Sequence, residues 1–186
     1  MVKFRKNKHG EIHFPDFPDF KPNLTPREIF KLGSFGGTYW RPIYSSVTNK
    51  NHRNKHLKYP SSWWTGINDD MMTLDWSNYD KYINKYCVKV GSTLEDWEEK
   101  DWIAKSHPYG WIQWYCDFYL GKRSRDDERQ ISRWIKTAGP NSRFRRRLIN
   151  MIEREGTTYN DYSISPKIRQ TLQHWAYVIK EHDVYV

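Results

Sequence analysis

Residues 109–152 read YGWIQWYCDFYLGKRSRDDERQISRWIKTAGPNSRFRRRLINMI, and this stretch decides the fold. Trp111, Trp114, Tyr115 and Phe118 recur at helical spacing, which predicts a helix over about 109–120 with one ring-lined face. Gly121 ends it. Ser124 is placed to cap a second helix, whose first turn holds Asp126, Asp127 and Glu128, where acids suit the helix dipole. Ile131, Trp134 and Ile135 give that helix a buried stripe. Gly139-Pro140-Asn141 breaks the chain, and a third helix follows with Phe144, Leu148 and Ile152 as its stripe. The apolar period is that of a helix throughout, so the expected fold is mainly α.

Working outward, Ser165-Pro166 starts a last helix by cap-plus-proline logic, with Ile168, Leu172, Trp175 and Ile179 as its stripe. Upstream, Ser92 to Glu95 reads as a capping box opening a helix to about Lys105, broken by His107-Pro108. Thr25-Pro26-Arg27-Glu28 is a strong helix start, and Gly33 stops that helix after Leu32. A short irregular or β-containing section lies near 34–65. Residues 1–24 read as an N-terminal strap: a basic start (Lys3, Arg5, Lys6, Lys8), then Phe14-Pro15-Asp16-Phe17-Pro18-Asp19-Phe20, whose prolines favour extended backbone and whose phenylalanines are expected to anchor in pockets, first of all on the chain's own domain and otherwise on a partner. Residues 25–186 are expected to form a single helical domain.

Composition agrees with one folded unit. The 186 residues are only 37% hydrophobic, but ten Trp, thirteen Tyr and eight Phe supply the area a core needs, since each buried ring removes roughly 150–250 Å² from water. Cys87 and Cys116 are too few for a disulfide framework and read as reduced thiols. No apolar run is long enough to span a bilayer, and Met1–Gly10 lacks the apolar region of a secretory signal. The expected setting is intracellular, in cytoplasm or nucleus, or within a virion.

Charge points to a partner class. Ten Lys or Arg between Lys122 and Arg147 face three acids, so this stretch holds +7 of the chain's +9. Such density repels itself unless a polyanion neutralises it. Arg125, Arg129, Arg133 and Lys136 recur at four, four and three residues, a row that could track phosphates. Arg143, Arg145, Arg146 and Arg147 cluster without nearby acids, and Arg41, Lys50, Arg53 and Lys55 could extend the track. Trp111 and Trp114 are candidates to stack bases. The leading expectation is a nucleic-acid-binding protein, DNA or RNA, that contacts phosphates through Arg-rich helices.

Two other readings compete. The strap and the surplus of rings would also suit a structural component of a larger assembly such as a virion, with the strap contacting other proteins. Alternatively, a pocket near Gly36, Gly37, His107 and Gln113 could make the chain an enzyme acting on a nucleobase or nucleotide. Gly36-Gly37-Thr38 resembles neither a P-loop nor a dinucleotide fingerprint, although its amides could face an anion. His107 with Asp101 or Asp117 could move protons, and Cys116 with His107 could act as a nucleophile, but neither spacing is diagnostic. His52 and His56 stand four apart beside Arg53 and Lys55, a poor metal setting. No metal and no cofactor is expected.

Three strings, Phe17–Phe20 through Thr25-Pro26, Gly33 through Trp40, and His107 through Arg123, resemble a family of small basic Trp-rich proteins of plants, bacteria and large DNA viruses. The resemblance spans roughly residues 14–178. It carries no activity and no catalytic residue, and implies only that the three strings belong to one domain.

Overall fold

Helix α1 (Pro26–Lys31) starts as its sequence requires. The Thr25 hydroxyl accepts the Glu28 amide at 3.2 Å, and the Glu28 carboxylate accepts the Thr25 amide at 2.7 Å, so two otherwise orphaned donors are satisfied. The structure is a computed structural model and describes residues 5–185. Strands β1 (Ile43–Ser45) and β2 (Lys50–His52) follow α1 as an antiparallel hairpin, with Ile43 opposite His52 and Ser45 opposite Lys50. Residues 55–83 form a run of single 3-10 turns. The helices α2 (Leu94–Glu99), α3 (Trp111–Tyr119), α4 (Asp127–Ala138), α5 (Arg143–Arg154), α6 (Pro166–His174) and α7 (Glu181–Val184) complete the chain. The fold is mainly helical, with the small hairpin inside the section expected to be irregular or β-containing. No described helix is long and apolar enough to cross a membrane.

Several boundaries differ from expectation. In α2 the cap is Thr93 with Asp96, one residue later than read, and the helix ends at Glu99 rather than near Lys105. Asp101 turns left-handed (φ 53°) and the Trp102 amide returns to the Trp97 carbonyl at 2.9 Å, which closes the helix early. Ser124 does not cap α4; its hydroxyl and amide bond the Asp127 carboxylate at 2.7 and 2.9 Å, forming a turn ahead of the helix. Ile135 and Phe144 face outward, each 39% exposed, so the stripes of α4 and α5 are narrower than read. Arg145 takes the inward position beside Leu148 and Ile152. Helix α6 ends at His174, leaving Trp175 and Ile179 beyond it, and Ser165 contributes no cap bond.

The strap is corrected most. It is not extended. The Phe17 amide bonds the Phe14 carbonyl and the Phe20 amide bonds the Phe17 carbonyl, both at 3.0 Å, so consecutive Phe-Pro-Asp units make consecutive tight turns. Those turns drive Phe14 and Phe20 fully into the protein's own core, as expected of a strap anchored by its phenylalanines on its own domain. Phe20 is a hub: Trp111, Tyr115, Phe118 and Trp134 meet it edge-to-face at 6.5, 5.8, 5.5 and 5.1 Å, and Phe14 stacks on it at 5.2 Å. Such geometries suit the ring quadrupoles. Of the basic start, Lys6 bonds Glu28 at 2.8 Å and the Asn23 carbonyl at 2.9 Å, and Lys3 lies outside the described residues. Asn23 also ties distant segments together, since its side chain gives and takes bonds with Val178 backbone at 2.8 and 2.9 Å. One contiguous core runs from Ile12 to Val184.

Candidate functional site

The dense cations of Lys122–Arg147 divide into three groups. Four have carboxylate partners: Lys122 with Asp117 at 2.7 Å, Arg123 with Asp16 at 2.5 Å, Arg129 with Asp126 at 2.5 Å, and Arg145 with Asp183. Arg145 and Asp183 are both buried, so Arg145 faces the interior and is no phosphate contact. Arg133 forms a group alone, half-buried against the rings of Trp102 and Trp175 at 5.0 and 5.3 Å. The expected row on α4 is therefore broken at Arg129 and Arg133.

Arg125, Lys136, Arg143, Arg146 and Arg147 remain, all exposed and without an ion pair among the described residues. Arg143, Arg146, Arg147, Asn150 and Arg154 share the outer face of α5 and line a shallow depression with Asn141 and Met151. Residues three and four apart are neighbours on a helix surface. No acid lines this depression; Arg154 alone has an acidic neighbour, Glu155 at 3.2 Å, and both are exposed. Lys50 and Arg53 stand exposed on and just after β2, while Lys55 is half-buried and burial lowers its pKa. Arg41 does not stand with them; it turns into a cavity.

The other sequence candidates do not converge on a pocket. Trp114 is 1% exposed and donates to Asp127 at 2.8 Å, so it is core and cannot stack a base. Gly36 and Gly37 serve close chain approach: a Cβ on Gly36 would sit 2.5 Å from the Tyr79 ring, and one on Gly37 would sit 2.3 Å from the Asp70 carbonyl oxygen. Their amides already bond Asn84 at 2.8 Å and the Ser34 carbonyl at 3.2 Å, so no anion cradle is left. Gln113 accepts the Tyr109 amide at 2.9 Å. Buried His107 meets Asp117, not Asp101, at 3.4 Å, and its other ring nitrogen meets the Ser106 hydroxyl at 2.9 Å. Burial would raise the Asp117 carboxyl, but hydrogen bonds from His107 and Lys122 outweigh it and hold the pKa low. Cys116 is fully buried and burial pushes its thiol well up, so it is not a ready nucleophile. Cys87 is exposed while Cys116 is buried.

What sequence reasoning missed is an aromatic cavity of about 180 Å³ beside α3. Trp76, Trp97, Trp102, Trp111 and Trp175 all line it, half of the chain's ten tryptophans. Among the described residues, Arg41 and Arg133 are its only charged lining residues. Arg41 lies over the Trp76 ring at 5.1 Å and bonds only the Thr38 carbonyl, at 3.0 Å. Burial lowers its pKa, and Glu95 and Asp75 act on it only through space. Arg133 bonds Gln130 Oε1 at 3.1 Å and the Trp102 carbonyl at 3.4 Å, both through Nη1. Burial pulls its pKa down to about 10. Both guanidinium groups thus rest on neutral oxygens and rings.

His174 also lines the cavity, stacked on Phe35 with ring centroids 3.9 Å apart. Its Nε2 accepts the Phe35 amide at 3.1 Å and faces Gln170 Nε2 at 3.1 Å. Both neighbours are donors, so the ring proton sits on Nδ1. Complete burial pushes the pKa down to about 3, and the ring is neutral at ordinary pH. The unfolded chain, with an ordinary value near ~6.5, binds this proton first. Between about pH 6.5 and 3 stability should therefore fall with acid, by up to ~1.4 kcal/mol per pH unit from this group. Urea unfolding at stepped pH should show a shallower acid slope for His174→Gln, which keeps an acceptor for the Phe35 amide. An unchanged slope would remove His174 as the cause.

No protein-family model, no curated protein and no solved structure matches the chain.

Proposed function

We propose that this protein binds nucleic acid through the outer face of α5, with Arg143, Arg146, Arg147 and Arg154 on phosphates and Asn150 and Asn141 beside them. The observation that carries the reading is the acid-free depression these residues line. The fold supplies a carboxylate for Lys122, Arg123 and Arg129 ahead of α5 and for inward-facing Arg145 within it. On α5 three exposed arginines are left without one. Leaving them uncompensated costs self-repulsion, which a polyanion relieves while releasing counterions. Arg143 to Arg154 also spans roughly 16 Å at 1.5 Å per residue, enough to follow several phosphates. Arg125 and Lys136 are exposed cations of the neighbouring helix segment.

The test is a salt titration against fluorescent single- and double-stranded DNA and RNA oligonucleotides. Affinity should fall log-linearly with salt. Arg143→Glu, Arg146→Glu and Arg147→Glu together should reduce the slope by about 2–3, since each lost phosphate contact removes ~0.9. Binding indifferent to salt, or a slope unchanged in the triple variant, would refute this assignment.

A further inference from the structure

The aromatic cavity is a second site, separate from the α5 face. Its walls are largely indole and phenol rings, and among the described residues its only charges are two guanidinium groups and no acid lines it. The N–H groups of Arg41 and Arg133 beyond Nη1 meet no acceptor among the described residues. His174 lines it as a neutral ring. The indole nitrogens of Trp111 and Trp97 are engaged, by the Gln130 carbonyl at 3.3 Å and by Ser92 Oγ at 3.1 Å. Those of Trp76, Trp102 and Trp175 meet no acceptor among the described residues. The cavity therefore offers donors and ring faces and asks for acceptors and a negative charge.

Size narrows the occupant. A dry cavity of ~150 Å³ takes benzene, so about 180 Å³ suits one aromatic ring or a compact fused pair. Lys89 lies 5.0 Å from the outer partner of this wall, Trp76, which sets a third cation close by. Burial has already lowered Arg41 and Arg133, and an anion against either guanidinium recovers what burial costs that charge.

We propose that this cavity binds a planar aromatic ring carrying an acidic group, with the ring among Trp76, Trp102, Trp111 and Trp175 and the counter-charge supplied by Arg41 and Arg133. Two sources share that chemistry: a nucleoside monophosphate and a free aryl carboxylate.

Tryptophan fluorescence can read the site directly because five of its walls are indoles. The full chain is titrated with the four nucleoside 5′-monophosphates, the matching uncharged nucleosides, indole-3-carboxylate, benzoate, indole and inorganic phosphate. One charged aromatic series should quench saturably, at least tenfold more tightly than its uncharged counterpart. Saturation in the nucleotide arm assigns the phosphate source, and saturation in the carboxylate arm assigns the other. Arg41→Gln and Arg133→Gln should each weaken binding roughly ten- to a hundredfold, the size expected for losing a charged hydrogen bond. Should a variant fail to fold, the charged-against-uncharged comparison on the unaltered chain still decides. No saturation at millimolar ligand, equal binding of uncharged rings, or binding unmoved in both folded variants would overturn the proposal. The triple α5 variant should bind the small ligand normally; if it does not, the quench reports the helix face and the cavity assignment fails. Failure of oligonucleotide binding leaves this outcome untouched.

Discussion

Asp183→Ala should destabilise the protein by about 3–5 kcal/mol, the usual cost of stripping one partner from a buried ion pair. The Asp183 carboxylate is fully shielded and the Arg145 side chain is only 9% exposed. Besides Arg145, the carboxylate accepts the Tyr177 hydroxyl at 2.9 and 3.0 Å and the Lys180 amide at 2.8 Å. The Arg145 guanidinium in turn lies 4.3 Å from the Tyr177 ring centroid. Alanine would leave a buried cation, a phenol and a helix-start amide without their acceptor at once. Chemical denaturation measures the loss, and a change under ~1 kcal/mol would mean that water reaches the pair. Replacing both partners, Arg145→Met with Asp183→Leu, should recover much of the stability, because a well-packed apolar pair avoids the desolvation penalty. The pair also governs how charge scans of α5 are read: Arg145→Glu would abolish oligonucleotide binding by unfolding, whereas Arg143, Arg146 and Arg147 can be reversed at the surface.

Phe20→Ala should cost a similar ~3–5 kcal/mol, the range for emptying a buried phenylalanine site. Phe20 is 0% exposed and stands among rings of the Phe-Pro-Asp turns, α3 and α4. These rings hold one another edge-to-face and cannot slide into the vacated space without breaking other contacts, so little of the cavity would relax away. Urea unfolding with equal m-values for both proteins would give the difference directly. A loss below ~1.5 kcal/mol would show that the hub repacks and that Phe20 does not anchor the Phe-Pro-Asp segment.

Local rules carried the sequence reading as far as local rules reach. Thr25 and Glu28 make their capping box, and Trp111 to Phe118 form the ring-lined helix, because caps and periodicity depend on neighbours within one turn. Arg145 looked like a phosphate contact because its partner Asp183 is 38 residues away. Phe-Pro-Asp read as extended because proline restricts its neighbours, whereas burial of Phe14 and Phe20 folds the same residues into turns. The charge of Arg41 and Arg133 is legible in the sequence, but charge alone places them on a surface track. The cavity they serve was invisible, since Trp76 and Trp102 sit in aperiodic turns and meet Trp111 and Trp175 only through tertiary packing. Gly36 and Gly37 suggested an anion loop, but the demand for glycine comes from Tyr79 and Asp70, residues no local pattern connects to them.

Asn23 implies an order of events during synthesis. Its side chain and the backbone beside it are satisfied by residues 176–178, some 155 positions later. Phe20 just before it needs Trp111, Tyr115 and Trp134, which also emerge late. While the ribosome is still extending the chain, the first segment therefore has no finished site: Phe20 waits for α3 and α4, and Asn23 waits longer, for residues 176–178. Closing a loop of that length is slow relative to helix formation. A chain halted short of residue 176 would hold Phe20's ring partners but lack the backbone that satisfies Asn23, so the first segment would be packed at one end and untied at the other.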